Sequence, residues 1–551
     1  MGAQPRWLKL AALPLALYLL ALFVVPVADL LRLSFGGDAG LFGNYLRIWE
    51  VPAYRTALVT TFEIAAMVTV ISVVMSYPIA YLMASVRPRL AKVLALCVLL
   101  PFWTSALVRT TAWIILLQRN GVLNSLLVGS GLIREPIAFV YNLPGVLIGM
   151  SHVLMPFVVL PLYGAFRGID QSVVQAAETL GAGPLALCRR IFLPLTAPGV
   201  LAGATIVFMS ALGYYVTPAL MGGAAQTMIA QMIAFNVNTQ LNWGLAAAMS
   251  VVVLVVTLIL FALFQTIFGL DRLLGAGGGG GAAGAPREIG AQRRSPAGWA
   301  VAAAGLLVML FLLAPIIVVF PMSLGSSPFL AFPPRDWSLR WYQEFFTRPQ
   351  WLASVWNSLE VALIAVAGST VLGTAASLGL SRLGGRLARP LEAFFVLPMI
   401  MPAIILGVGL YYTLAPFGLI NSPWALALGH IVLAAPFVVL TVRAALGGFD
   451  RNLELAALGL GASWLTMFRR VMLPVIAPGI AAGAVFAFIT SFDDVVLAIF
   501  LTNVRSRTLP KLMYEGVAHE INPTITAVAA LIVLLTCGIL MVNLLLQRKP
   551  A

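Results

Sequence analysis

Apolar residues along this chain come in long runs, and the polar positions gather between the runs. Twelve runs approach the ~20 residues a helix needs to cross a bilayer. They fall at roughly 10–30, 56–85, 92–117, 143–166, 196–220, 245–269, 298–321, 353–381, 391–415, 424–447, 476–501 and 523–546. The pattern predicts an all-α integral membrane protein of about twelve transmembrane helices. The opening MGAQPRWLKL is a basic flank to an apolar run longer than a signal-peptide core, and it reads as a retained first span.

The polar segments carry the orientation. RPRLAK (87–92), the 167–195 loop, the central 271–298 segment, RLGGRLAR (382–389), the 448–475 loop and the terminal QRKP are all basic. Positive loops stay in the cytoplasm, which places both termini there. The glycine, alanine and arginine richness points to a bacterial inner membrane. The central DRLLGAGGGGGAAGAPREIGAQRRSPAG has no apolar period and reads as a flexible linker, with a root-mean-square reach of about 30 Å. The expected domains are therefore a six-span half at 1–270, a linker at 271–298 and a second six-span half at 299–551.

The halves repeat each other. Residues 170–200 and 450–480 share Asp, Ala-Ala, Leu-Gly-Ala, Leu, Arg-Arg, Leu-Pro and Ala-Pro-Gly without a gap. A second echo pairs 60–85 with 357–382 and sets Glu63 opposite Glu360. Parallel six-span repeats imply two equivalent halves about an axis along the membrane normal, with a pathway between them.

The loops at 170–195 and 450–475 lie on the inside. Each reads as a helical turn entered by Ala176-Ala177 or Ala456-Ala457, an elbow at Gly181 or Gly461, and an amphipathic run. Proline has no backbone donor, so Pro194 and Pro474 are expected to stop the short helix. The expectation is two short helices at an angle, with a small elbow that lets another protein approach. An amphipathic helix resting on lipid headgroups is the plainer reading, but lipid does not demand so strict a register.

These loops resemble the EAA loop of ABC-importer permeases. The matching residues are Ala176, Ala177, Gly181, Ile191, Leu193 and Pro194, and again Ala456, Ala457, Gly461, Val471, Leu473 and Pro474. The family's leading Glu is replaced by Gln175 and Leu455, with Glu454 one residue away. The resemblance implies a type I importer permease fold and two permease subunits fused in one chain. It also implies coupling loops that dock on a cytoplasmic ABC ATPase dimer, where ATP and Mg would bind, and an extracytoplasmic substrate-binding protein. This chain is expected to bind no cofactor and to have no catalytic residue. A Walker A loop needs Gly-Lys-Ser/Thr, and none of Lys9, Lys92, Lys511 and Lys549 follows a glycine.

PFWTSALVRTTAWIILL (101–117) and LGYYVTPALMGG (212–223) resemble one permease of spermidine/putrescine importers. SFDDVVLAIFLT and TLPKLMYEGVAHEINP, within 491–523, resemble the other. Related permeases serve iron(III) and other small organic solutes. The chemistry suits an amine. Glu63, Glu360, Asp493 and Asp494 fall at similar depth toward the outer side of their spans, where carboxylates attract cations. Trp103, Tyr214, Tyr215, Tyr411 and Tyr412 can add cation–π contacts. The opposing reading is that Arg109 pairs with one or more of these acids to fix helix packing. Asp493 and Asp494, adjacent on one expected helix, stand opposite Gly213 and Tyr214 of the first half.

Composition and charge remove other classes. Of 551 residues 61% are hydrophobic and 9% charged, against about a quarter charged in soluble chains. The net charge of +14 is spread over the loops between spans instead of clustering on a soluble module, which excludes a nucleic-acid reading. Cys97, Cys188, Cys537, His152, His430 and His519 are scattered, with no metal-ligand spacing. An ion-driven twelve-span carrier shares the topology but leaves the duplicated loop without a purpose.

Overall fold

The computed structural model describes residues 6–37, 40–268, 296–328, 336–519 and 522–547, together with 332 and 334. Most of the expected linker, 271–295, lies outside the described residues. In the first half the helices are α1 (Lys9–Ser34), α2 (Gly43–Glu50), α3 (Pro52–Ser85), α4 (Pro88–Trp103), α5 (Ala106–Leu117) and α6 (Val122–Gly129). They continue with α7 (Leu143–Leu154), α8 (Pro156–Arg167), α9 (Gln171–Thr179), α10 (Pro184–Leu212), α11 (Val216–Met221), α12 (Ile229–Asn238) and α13 (Trp243–Phe268). In the second half come α14 (Pro296–Ser323), α15 (Arg340–Thr347), α16 (Pro349–Arg382), α17 (Gly385–Ile400), α18 (Ala403–Leu414) and α19 (Pro423–Gly447). Last are α20 (Arg451–Gly459), α21 (Trp464–Asp493), α22 (Val496–Leu501), α23 (Leu509–His519) and α24 (Thr524–Gln547).

Eight of these helices are long and apolar enough to cross a membrane, and three bent pairs raise the number to 11. The twelfth expected span falls in α24. Three expectations of straight spans need correction: residues 143–166 fold as α7 and α8 with a 49° bend, and two others turn more sharply. Residues 92–117 fold as α4 and α5 with an 88° bend, and 391–415 as α17 and α18 with a 96° bend. Extended residues cause both breaks: Thr104 and Ser105 in one case, Met401 and Pro402 in the other. Windowed hydropathy stays high across them, so composition gives no hint of the turn.

The duplication is kept to the residue. Helices α2 to α5 recur 297 positions later as α15 to α18, and α9 recurs 280 positions later as α20. The change of spacing lies between α5 and α7, where 118–142 in the first half corresponds to the much shorter 415–422 in the second.

Two compact units cut across these halves. One, here the N-unit, comprises 43–345 and 516–534; the other, the C-unit, comprises 1–42, 346–515 and 535–551. The first span thus belongs with the second half. In the C-unit α1 packs so closely on α16 that a Cβ on Gly379 would sit 2.5 Å from the Ala12 nitrogen. Tyr18 donates to the Leu428 carbonyl at 2.8 Å, and Thr413 donates to Asp29 Oδ2 at 3.1 Å. In the N-unit α14 takes the corresponding place. A Cβ on Gly305 would stand 3.0 Å from the Pro78 carbonyl, and Leu312 joins Ile79, Met83 and Val98 in the core. His152 lies 3.0 Å by Nε2 from the Leu312 carbonyl, edge-on to Trp113 and Phe311.

Candidate functional site: the two coupling segments

The shared residues of 170–200 and 450–480 each have a local job. Asp170 and Asp450 are N-caps, their Oδ1 atoms accepting from Ser172 N at 2.9 Å and Asn452 N at 2.8 Å. Gly181 and Gly461 end α9 and α20 in the left-handed region, at φ +83° and +82°. Ala182 N–H returns to the Ala177 carbonyl and Gly181 N–H to Glu178, and Ala462 and Gly461 repeat this with Ala457 and Leu458. This double return is the Schellman closure, which favours glycine at that position. A Cβ on either glycine would meet nothing within 4 Å, so backbone conformation explains both without a close-approaching neighbour.

Pro194 and Pro474 do not stop the helix, contrary to expectation. Each follows a π-turn, Cys188–Phe192 or Phe468–Met472, that carries the short amphipathic run into the long span. Leu193 N–H reaches the Cys188 carbonyl and Leu473 N–H the Phe468 carbonyl, five residues back. A proline removes its own donor and pushes on the carbonyl four residues earlier. One extra residue in the turn relieves that clash without ending the helix. The turn at Leu20–Val24 ahead of Pro26 has the same form, closed by Val25 N–H on Leu20. The expected second short helix is therefore the first part of α10, and likewise of α21. Further along, Gly199 and Gly479 let these helices lie against α8 and α19. An added Cβ would meet Ala165 at 2.7 Å and Ala445 at 2.6 Å.

Each loop turns an apolar face outward. Leu180 and Leu460, beside the two glycines, are 88% and 89% exposed, and Leu185, Leu455 and Leu465 are exposed as well. Ala176 and Ala456 are exposed, Ala177, Ala457, Ile191 and Val471 are half-buried, and the two arginine pairs point out. Glu454 faces inward instead of standing in for the missing Glu at 455. Its carboxylate meets Arg382 Nη2 at 2.7 Å, with both side chains buried. In the first half Val174 stands at that position, among Tyr81, Phe166, Leu187 and Phe192.

The pathway candidates divide between the two units: Glu63, Trp103, Arg109, Tyr214 and Tyr215 belong to the N-unit, and Glu360, Tyr411, Tyr412, Asp493 and Asp494 to the C-unit. Glu63 and Glu360 occupy the same position on α3 and α16, and both are exposed. Trp103 ends α4, its side chain outside the described residues. Arg109 is buried on α5, with Nε 3.4 Å from the Ser105 carbonyl. Tyr214, Tyr215 and Tyr411 are half-buried, and Tyr412 is exposed. The aspartates are separated by a helix end: α21 finishes at Asp493, and Asp494 is extended, with φ −68° and ψ 126°. The single helix expected through both is not formed. Asp494 Oδ2 accepts from Leu497 N at 2.9 Å and from His430 Nε2 at 3.2 Å, while His430 Nδ1 lies 2.7 Å from Ser491 Oγ. His430 thus bonds between helices, but its spacing along the sequence gave no signal of Asp494 as the partner, because the two lie on different spans. Nor did sequence reasoning find the tethers that hold α12 and α23. Ile229 N donates to Thr61 Oγ1 and Leu509 N to Ser358 Oγ, each at 2.8 Å.

Comparison with known proteins agrees with this duplication. The family described as "Binding-protein-dependent transport system inner membrane component" matches twice, over residues 76–269 and 369–549. The spermidine/putrescine transport system permease protein PotB of Escherichia coli (strain K12) is 33% identical over 213 residues, 39% of this chain and 77% of PotB. The corresponding PotC of Haemophilus influenzae is 27% identical over 244 residues, 44% of this chain and 94% of PotC. A protein described as probable ABC transporter permease protein y4fN, from Sinorhizobium fredii, is 28% identical over 414 residues, 74% of this chain and 72% of its own length.

Proposed function

The chain belongs to the binding-protein-dependent transport system inner membrane components, and on that premise we propose that its cargo is a small cationic amine of the spermidine/putrescine type. It is a multi-pass inner-membrane permease of an ABC importer, with both permease halves in one polypeptide. The observation that carries the coupling mechanism is the pair of outward apolar faces centred on Leu180 and Leu460, presented on two identical backbones.

In this reading those faces dock on the two subunits of a homodimeric cytoplasmic ATPase, which alone binds ATP and Mg. Because α9 is closed by a Schellman turn and α10 runs unbroken through its π-turn, a push on the loop is delivered along a continuous helix to the outer end of the span. The same holds for α20 and α21. The binding protein delivers the amine from outside, both termini lie in the cytoplasm, and alternating access does the rest. The similarity to PotB and PotC supports the amine cargo; Asp493, Glu63 and Glu360 are candidate carboxylates for it, each taken by itself.

Leu180→Asp combined with Leu460→Asp places charge on surfaces that support no core. The expected result is loss of at least ten-fold in co-purification with the ATPase and in ATP-dependent uptake, with the permease still monodisperse. Undiminished uptake would overturn the docking faces. Labelled spermidine uptake that survives ATP depletion but collapses with an uncoupler would favour the ion-driven carrier instead.

A further inference from the structure

Helix α22 is six residues long, far below the length at which a helix holds itself in water. It carries a charged side chain at each end. At its start Asp494 Oδ2 accepts from Leu497 N at 2.9 Å and Ala498 N at 3.3 Å, and His430 braces the same oxygen at 3.2 Å. At its finish Lys511 Nζ donates to the carbonyls of Thr502 at 2.7 Å, Ala498 at 3.2 Å and Ile499 at 3.5 Å. The same Nζ donates to Thr502 Oγ1 at 3.1 Å. An anion at the amino end and a cation at the carboxyl end both match the sign of the helix dipole.

The first half has the same helix without the charges. At the positions of Asp494, His430, Ser491 and Lys511 stand Tyr214, Met150, Ala211 and Gln231. Gln231 Oε1 accepts from Met228 N at 2.6 Å instead of reaching the end of α11 as a cation. Four positions on three segments differ together while the backbone elements coincide. Neutral packing suffices to form such a helix, so the charges serve something other than its existence.

We propose that Asp494 and Lys511 are positioning residues that clamp α22 from both ends and so fix Asp493, the last residue of α21, in its place along the path. This rests on the reading of Asp493 as a pathway carboxylate. Asp494 then touches the helix and not the cargo, which separates the roles of two adjacent aspartates. The second half holds a fixed acid where the first half has Tyr214 and no charged pair at the helix ends.

The test is hydrogen–deuterium exchange of the full chain in nanodiscs, with spermidine uptake by the assembled transporter measured in parallel. Asp494→Ala and Lys511→Met should each speed exchange of the 496–502 amides at least ten-fold and leave 216–222 unchanged. Uptake KM should rise more than five-fold with little loss of maximal rate, and Lys511→Arg should recover most of both. Asp493→Asn should weaken uptake without altering exchange. Asp494→Asn keeps an acceptor for the two amides and is the variant to read if the alanine form fails to reach the membrane; half the effect is expected. Unaltered exchange in Asp494→Ala and Lys511→Met would overturn the clamp. Faster exchange with an unchanged KM would overturn its positioning role. An Asp493→Asn variant with full uptake would instead remove the pathway reading and leave the clamp standing.

Discussion

Residues 170–212 and 450–492 follow the same course with different interiors. Each begins at a capping aspartate, turns at a left-handed glycine, swells into a π-turn and passes its proline. Underneath, the first is seated on aromatic rings: Tyr81 and Phe192 meet at 5.7 Å, and Phe166 and Phe192 at 6.0 Å. The second is seated on Leu378, Met467 and Met472, and is pinned by Arg382 to Glu454 at 2.7 Å. The shape is therefore set by a few backbone landmarks, and the anchor below can change chemistry without moving it. Selection acting through an outward face would preserve the landmarks and leave the anchor to drift.

The largest effect expected from breaking this comparison is at the buried ion pair. Glu454→Ala leaves Arg382 buried without its partner, which costs about 3–5 kcal/mol. Arg382→Ser with Glu454→Val copies Ser85 and Val174 of the first half and should recover most of the thermal stability of the purified chain. If the double variant is as unstable as the single, the two anchors are not interchangeable. A middling effect belongs to the turns: Gly181→Ala and Gly461→Ala should each cost about 1–2 kcal/mol, since an L-residue pays for φ near +83° and +82°. Amide exchange across 180–182 and 460–462 should rise by equal factors, and a large inequality would show that the two landmarks are not equivalent.

The smallest effect separates α23 from α12 by pH. Burial lowers Lys511 from 10.5 to about 8; Glu515 opposes this and Arg507 adds to it. Those two face each other at 3.2 Å. In the unfolded chain Lys511 keeps its proton to 10.5, so between about 8 and 10.5 the unfolded state binds more protons and stability rises with pH. The cost of the charged form is fully present below about 8. Melting temperature should climb slightly from pH 8 to pH 10 relative to a Lys511→Met variant, and parallel curves would refute the shift.

Much of this was legible before any coordinates. The repeated Asp, Gly and Leu-Pro landmarks located both repeated loops, because each is a backbone requirement that only one or two residue types meet. The spans were legible because hydropathy sums along the chain, and it fails where direction matters. Nothing in PFWTS or MIMPA distinguishes a right-angle bend from a straight span. Proline was read as a stop because its missing donor is a local fact, whereas its rescue by a wider turn depends on the carbonyls upstream. The meeting of His430 with Asp494, and of Lys511 with Ala498 and Thr502, belongs to packing between segments, which no periodicity encodes.

The discontinuous make-up of the compact units bears on how such a protein is made. Residues 1–42 are made before the rest of the C-unit, and the surfaces they cover there, around Gly379 and Gly409, are synthesised more than three hundred residues later. The first span must wait in the membrane while the other half is translated. Cutting the gene at the glycine-rich centre would not yield two self-sufficient proteins, because each product would carry away a helix that the other needs. A single reading frame therefore guarantees one copy of each exchanged segment for every acceptor, a stoichiometry that two separate genes would have to reach by matched expression.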